Sequence, residues 1–587
     1  MLTNAVAGAS LVAMYLLVLV LQLNPHIPAL SATAFRWFVA LLAMYGPYLT
    51  ALLFVLMLVL EAMASRPLRP AWFSLRLIAW LGSVGAAAAA VITWANLRGY
   101  GAVLPREAAD HMRQGALVTT VFAGVLLAVA IVRYSFGRRG GRVTASALIL
   151  AMAGSVLVPL WLRAPAEPVV PSPVTRRPRE PQVVAQPPHV RLILIDGASL
   201  GFIRQRIASG QLPNFGKLID RGASLDLATL RPTQVEPVWT AAATGKYPPR
   251  NGIRSQALFQ VRADDVEPVD LLPDYCFAYA LPYQGFVRPD AQTRDALRAR
   301  PLWDILADFG LASGIVNWPL TRAARASRGY IISDRFDEAT SQPLRLGDAQ
   351  AGDPSTAVDI AREAFDLWQL RTWRDVLPTV APGEAPTSSL MRVRWDRAYA
   401  DAAAALDERF APRLTAIRYE GIDELAHTHL IDAMPEQFGA VRRGDPHRSI
   451  LDRYYAFVDS EVGRAMAELD GGDLLFVVSG FGMEPNSLVK RFWRRVRGQS
   501  DQPGTHEWAP DGFLLAYGAN VAPGQHDRSS IVDLAPTVLY YMGLPVGRDM
   551  DGFARTDLFR GTFTMERPIA YTPTHERWAA RPPGVPR

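Results

Sequence analysis

Val190-Arg191-Leu192-Ile193-Leu194-Ile195-Asp196-Gly197 is the stretch on which the fold turns. Leu192–Ile195 is apolar at consecutive positions, the pattern of a strand covered on both faces inside a parallel sheet. The run ends in Asp196-Gly197, so the acid stands at the carboxyl end of the strand, where open α/β sheets bind ligands. Working outward, a helical pattern covers Ser199–Arg221, a strand Leu225–Leu230, and a helix the region around Trp239–Thr244. Further strands are expected at Ala312–Asn317, Leu414–Tyr419, Leu474–Ser479 and Gly512–Tyr517, and a last helix near Ser530–Met542. Strands alternating with helices predict an α/β domain with a largely parallel central sheet.

Upstream the chain obeys a different solvent. Apolar stretches at about 4–23, 35–62, 71–95, 115–133 and 143–162 each approach the ~20 residues that cross ~30 Å of hydrocarbon. They predict a transmembrane helix bundle of about five spans, with a tilt or break expected at Gly46-Pro47. The start, Met-Leu-Thr-Asn, has no basic region, and further spans follow, which argues against a cleaved signal peptide. Residues 1–163 carry 12 Arg and three acids, a net of +9, whereas the remaining 424 carry 49 basic and 52 acidic residues, a net of −3. The overall +6 therefore belongs to loops between spans, and nucleic acid is not an expected partner. Arg66 and Arg69, with Arg138, Arg139 and Arg142, mark one side as cytoplasmic, which predicts an extracytoplasmic C-terminal domain on a bacterial inner membrane. Eight prolines in 164–188 read as an extended linker, so the expected domains are 1–163, 164–188, 189–565 and a tail at 566–587. The lone Cys276 excludes an intramolecular disulfide framework.

Seven motifs then stand in order: Ile195-Asp196-Gly197, Leu212-Pro213-Asn214, Trp239-Thr240…Thr244-Gly245-Lys246-Tyr247-Pro248, Asp423…His427, Ser479-Gly480-Phe481-Gly482-Met483, Gly504-Thr505-His506 and Asp533-Leu534-Ala535-Pro536-Thr537. Together they resemble the alkaline phosphatase superfamily, in particular its type I phosphodiesterase/nucleotide pyrophosphatase branch. The resemblance covers about 190–560, with an insertion expected within 255–410. It implies a hydrolase in which two metal ions, usually zinc, flank a Thr or Ser nucleophile. Paired cations neutralise developing charge, ionise the nucleophile and stabilise the leaving oxygen. One ion would be held by Asp423, His427 and His506, the other by Asp196 and partners.

The same resemblance exposes departures. The family's Ser-Asp-His-Gly segment is Ser479-Gly480-Phe481-Gly482 here, so two metal ligands are missing. The nucleophile position falls on Val235, with Thr233 and Thr240 as nearby hydroxyls (Thr233 the nominal substitute) and Glu236 as a nearby carboxylate. The family's His before Gly-Ile is Asn251. The expected metal ligands are thus Asp196, Asp423, His427 and His506, with one or two divalent ions, zinc by resemblance. His429 competes with His427 as the ligand, and each residue also has a plain structural role open to it: Asp196 as a turn or cap, Asp423 with His427 as a surface pair. Three functions stay open. One is a metal-dependent phosphodiesterase or phospho-group transferase acting on a phosphoester or phospholipid-type substrate at the membrane. The second is a catalytically inactive, membrane-tethered binding or assembly domain, and the third places the activity in the membrane part. Membrane lipids are expected partners in all three. The basic cluster Lys490, Arg491, Arg494, Arg495 and Arg497 reads as a solvated face, with anionic headgroups as the sharper alternative.

Overall fold

The computed structural model describes residues 1–63, 74–101, 106–135, 142–163, 187–261, 269–271, 287–291, 296–322, 328–334, 351–372, 388–439, 450–496 and 498–576, with residues 104, 324, 326, 336 and 376 between them. The expected Pro-rich linker lies outside the described residues up to Ala185-Gln186, as do Cys276 and the end of the tail. Chain contacts divide the molecule into two units, Met1–Ser172 with Arg254–Gln292, and Pro173–Ile253 with Thr293–Arg587.

Among the described residues, the first unit contains five helices long and apolar enough to cross a membrane: α1 (Leu2–Leu23), α2 (Ala32–Met63), α3 (Leu75–Tyr100), α4 (Arg106–Val129) and α5 (Arg142–Trp161). At 1.5 Å per residue even α5, with 20 residues, is about 30 Å long. The break expected at Gly46-Pro47 does not occur, and α2 runs unbroken through Pro47. A proline costs one backbone bond, which a transmembrane helix absorbs by local adjustment. A small antiparallel sheet joins this unit: β3 (Ala257–Val261) lies between β4 (Val269–Asp270) and β5 (Val287–Ala291). Its Phe259, Val269, Leu271 and Val287 share one apolar cluster with Leu23, Ile27, Tyr100 and Leu104. Asn24, just after α1, reaches into it like an extra strand residue. Its Nδ2 donates to the Asp270 carbonyl (3.0 Å) and its Oδ1 accepts from the Asp270 amide (2.8 Å).

The second unit is the expected α/β domain. Its sheet contains β1 (Val190–Ile195), β2 (Ala223–Ala228), β6 (Ser313–Val316), β7 (Gly329–Ile332), β8 (Gly352–Asp353), β9 (Leu414–Tyr419), β10 (Leu474–Phe481), β13 (Asp511–Tyr517), β14 (Gly524–Gln525) and β15 (Ser529–Ser530). The order is β14-β2-β13-β10-β1-β9-β6-β7-β8, with β15 also on β2. The centre, β10-β1-β9-β6-β7, is parallel, whereas β13 and β8 run antiparallel to their neighbours. Strand β1 explains its own sequence. Ile193 and Ile195 join one apolar layer with the helices Leu200–Ala208, Pro213–Arg221, Ser388–Phe410 and Ile450–Ala467. Val190, Leu192 and Leu194 join the opposite layer, with helix α6 (Val235–Thr244) and the helix Leu534–Tyr541. Both faces are covered, so consecutive positions must be apolar. Within 255–410, β6 and β7 are strands of this central sheet.

Candidate metal centre

The site forms at the carboxyl ends of β1, β9 and β10. Helix α7 (Gly421–Ala433) starts two residues beyond β9 and carries Asp423 and His427 one turn apart, on one face. Its N-terminus is fixed by a side chain of the preceding helix, Ser388–Phe410. The buried Asp396 Oδ2 accepts from the amides of Glu420 (3.1 Å) and Gly421 (2.8 Å) and from the Tyr454 hydroxyl. Burial pushes the Asp396 carboxyl up to about 7, Glu420 adding to the effect, while the Tyr454 bond opposes it. Gly197, at φ +71°, closes the turn after β1 directly on α7, where a Cβ would lie 3.0 Å from Asp423 Cα. The short pair β11 (Glu484–Pro485) and β12 (Gly504–Thr505) then delivers His506.

Asp423, His427 and His506 meet, with one ligand atom from each lying within 4.8 Å of the others. Asp423 Oδ2 is 3.7 Å from His427 Nε2 and 3.8 Å from His506 Nε2. The opposite ring nitrogens are tied down: His427 Nδ1 is 3.0 Å from the Gly504 carbonyl, and His506 Nδ1 is 3.2 Å from the Thr233 carbonyl. A carbonyl only accepts, so each Nδ1 carries a proton, the orientation that makes Nε2 the ligating atom in metal-binding histidines. Asp423 Oδ1 is buried with no hydrogen-bond partner. An orphaned carboxylate oxygen beside two imidazole lone pairs is a costly arrangement that a cation relieves. The three residues fit a divalent ion with an open coordination position. His429 is not part of the trio and faces Asp432 at 3.3 Å.

Asp196 is otherwise engaged. Its Oδ1 accepts from Trp239 Nε1 (2.6 Å) and its Oδ2 from Arg418 Nε (2.9 Å). Arg418 stands on β9, is buried, pairs with Glu420 at 3.0 Å, and donates to the Asn317 carbonyl at 2.9 Å. Burial alone would lower its pKa, but Asp196 and Glu420 push it up. Asp196 is itself pushed up to about 7 by burial, against the pull of Arg418. The two absent ligands are replaced by packing. A Cβ at Gly480 would meet Val238 Cγ1 at 2.5 Å, and Phe481 is fully buried with its ring 5.0 Å from that of His506. The residues at this second position do not fit a metal ion, and a guanidinium supplies the positive charge there.

Val235 is the first residue of α6, half-buried and without a hydroxyl. Thr233 is buried, its hydroxyl donating to the Leu230 carbonyl at 2.8 Å, so its role is to hold His506 through its own carbonyl. Thr240 is buried too. Glu236 sits in the first turn of α6, and burial pushes its carboxyl up to about 7 while Arg418 draws it down. Asn251 is buried and bonds the Lys246 carbonyl at 2.7 Å. The residues that sequence reasoning passes over are Arg418 and Asp396, and it quotes Trp239 in a motif without a role for its indole. Only Arg418 leaves a trace, as a charge inside a strand buried at every position.

The family model for type I phosphodiesterase/nucleotide pyrophosphatase matches residues 190–509. Among solved structures, an inactive form of murine ectonucleotide pyrophosphatase/phosphodiesterase 5 in complex with AMP aligns at 13% identity, covering 64% of this chain and 100% of that one, with a TM-score of 0.37. The human protein of the same name aligns at 12% identity, covering 64% and 100%, with a TM-score of 0.36. Wild-type alkaline phosphatase PafA aligns at 10% identity, again covering 64% and 100%, with a TM-score of 0.42. None of the curated proteins matches the chain.

Proposed function

The chain belongs to the type I phosphodiesterase/nucleotide pyrophosphatase family, and from that premise we propose that it is a membrane-anchored, metal-dependent phosphoester-binding protein of the phosphodiesterase type that works without a covalent phosphoryl-enzyme intermediate. The observation that carries this reading is the trio Asp423, His427 and His506, with two oriented imidazoles and a carboxylate oxygen left unpartnered. These residues would hold one ion, zinc by family habit, which when bound supplies Lewis acidity and a coordination position for a phosphoryl oxygen. Arg418 supplies a second, fixed positive charge. It can stabilise a phosphoryl group electrostatically, but unlike a metal it cannot ionise a hydroxyl. With Val235 at the nucleophile position, hydrolysis would need water as the attacking group. A second reading, a binding domain with no turnover, is favoured by the tight closure of Asp196 between Trp239 and Arg418.

The experiment is metal content of the purified full chain, with hydrolysis of an aryl phosphodiester. One metal per chain, lost in His427→Ala, is the expected result. Metal-free protein that takes up neither zinc nor manganese overturns the reading, as do two ions per chain or a trapped phosphorylated side chain. Bound metal without hydrolysis selects the second reading.

We further propose that the α/β domain is extracytoplasmic. Odd span number places the exit of α5 opposite Met1, and the Arg-rich loops 64–73 and 136–141 lie on the Met1 side. The 257–291 sheet clusters with residues at the other helix ends, Leu23, Ile27, Tyr100 and Leu104.

A further inference from the structure

Helix α8 (Leu488–Val496) carries an apolar face that is largely exposed. Leu488, Val489, Phe492 and Val496 are 79, 66, 60 and 57% exposed. At about 100° per residue these four fall within an arc of about 100°, one side of the helix. Single exposed apolar residues are ordinary, but a contiguous face of them is a contact surface. The opposite side is basic and fastened to the domain. Lys490 pairs with Glu507, Arg491 grips Asp501 through bonds of 2.9 and 2.6 Å, and Arg494 donates to the Ser500 carbonyl. Arg495 borders the apolar arc, is 78% exposed, and has a long ion pair of 3.7 Å to Asp501, which Arg491 already holds more closely. From Leu488 to Arg497 there are five basic residues and no acid.

We propose that α8 is an interfacial helix that docks the α/β domain on an anionic lipid surface. An apolar face edged with arginine is complementary to a bilayer whose hydrocarbon begins just beneath a layer of phosphates. A bilayer is also the surface this chain always has beside it, because its five spans hold the domain near one and make docking effectively intramolecular. The apolar side chains enter the boundary of headgroups and acyl chains, and Arg495 meets lipid phosphate.

The place of α8 ties docking to the metal centre. The helix lies in the loop closed by β11 and β12, where the Asn486 amide donates to the Pro503 carbonyl at 2.6 Å. The residue after β12 is His506, the Gly504 carbonyl holds His427, and Lys490 pairs with the neighbour of His506. Docking therefore brings the rim of the site to headgroup level, and the phosphoester within reach is that of a lipid headgroup. That last consequence rests on the one-metal reading above; the docking itself does not.

The test uses the full chain with Cys276→Ser and a single labelling site, Val489→Cys, carrying an environment-sensitive fluorophore. A parallel chain carries the label at Glu363→Cys, on the helix Ser355–Leu370. Each is reconstituted into phosphatidylcholine vesicles with or without phosphatidylglycerol, and quenching by a nitroxide borne on lipid is measured. The expected result is quenching at 489 in the anionic vesicles, none at 363, and docking weakened about fivefold by Arg495→Gln, the effect of one interfacial charge. Equal quenching with and without anionic lipid overturns the proposal. So does a label at 489 that is shielded from aqueous iodide yet untouched by the lipid quencher, which would put a protein partner or second copy on this face. Metal content is measured on every variant. Docking without bound metal leaves this inference standing and overturns the reading of the site, whereas bound metal without docking does the reverse.

Discussion

At the scale of single residues, the second cation position is decided by Arg418, Gly480 and Phe481 acting together. Arg418 is a fixed charge whose partners are Asp196, Glu420 and the Asn317 carbonyl. Gly480 leaves no room for a side chain beside Val238, and Phe481 fills the ground a ligand would occupy. Removing the charge while keeping the volume isolates its role. Arg418→Met should lose about 3–5 kcal/mol in denaturant unfolding of the detergent-solubilised chain, because the buried Asp196 and Glu420 lose the cation they share and Asp196 must take up a proton. Metal stoichiometry should stay at one. An unchanged midpoint would mean that Asp196 is held chiefly by the Trp239 indole, and a second bound metal would mean that Arg418 excludes an ion the site can otherwise take.

At the scale of elements, α7 is the part the site depends on most, and its start is held by a side chain from another helix. Asp396 gathers three donors on one oxygen, and its other oxygen is buried without a partner. Its carboxyl is pushed from an ordinary 3.8 up to about 7, so between those values the folded chain holds a proton that the unfolded chain has released. Stability from this group therefore falls as pH rises from about 4 to about 7. Asp396→Asn keeps an acceptor and removes the titration. Its stability relative to wild type should improve between pH 4.5 and about pH 7 and then level off, read by thermal midpoints of both chains. A constant gap would show that Asp396 is not held protonated. The same site shows what was legible beforehand. Asp423 and His427 could be paired from their i, i+4 spacing, since a helix puts them on one face. Asp396 could not be found, because its role depends on how the two helices that precede and follow strand β9 pack, which no local spacing encodes. Thr233 was a nominal nucleophile on hydroxyl chemistry alone, and the fold turns that hydroxyl onto the Leu230 carbonyl instead.

At the scale of the whole molecule, the opposed charges of the two parts of the chain report on two solvents. The +9 belongs to residues 1–163, which contain the five apolar helices, and the −3 to the remainder with its α/β domain; under the proposed orientation the Arg excess is what sets the direction of the spans. A reporter enzyme active only outside the cytoplasm, fused after Arg587, should be active, and a reporter that works only in the cytoplasm should be silent at the same position. The reverse pattern would sink the proposed orientation and the span count with it. By itself the sequence determined the five apolar spans and the parallel centre of the sheet. These follow from local periodicity, from residue identity and from motif order, all of which act along the chain. Only the tertiary structure decided that Asp423, His427 and His506 converge, that Arg418 neutralises Asp196, and that the 257–291 sheet packs on the membrane helices. Those outcomes depend on which side chains meet across β1, β9 and β10 and across Asn24 and Asp270. Contacts between residues hundreds of positions apart are set by packing, and no local pattern encodes them.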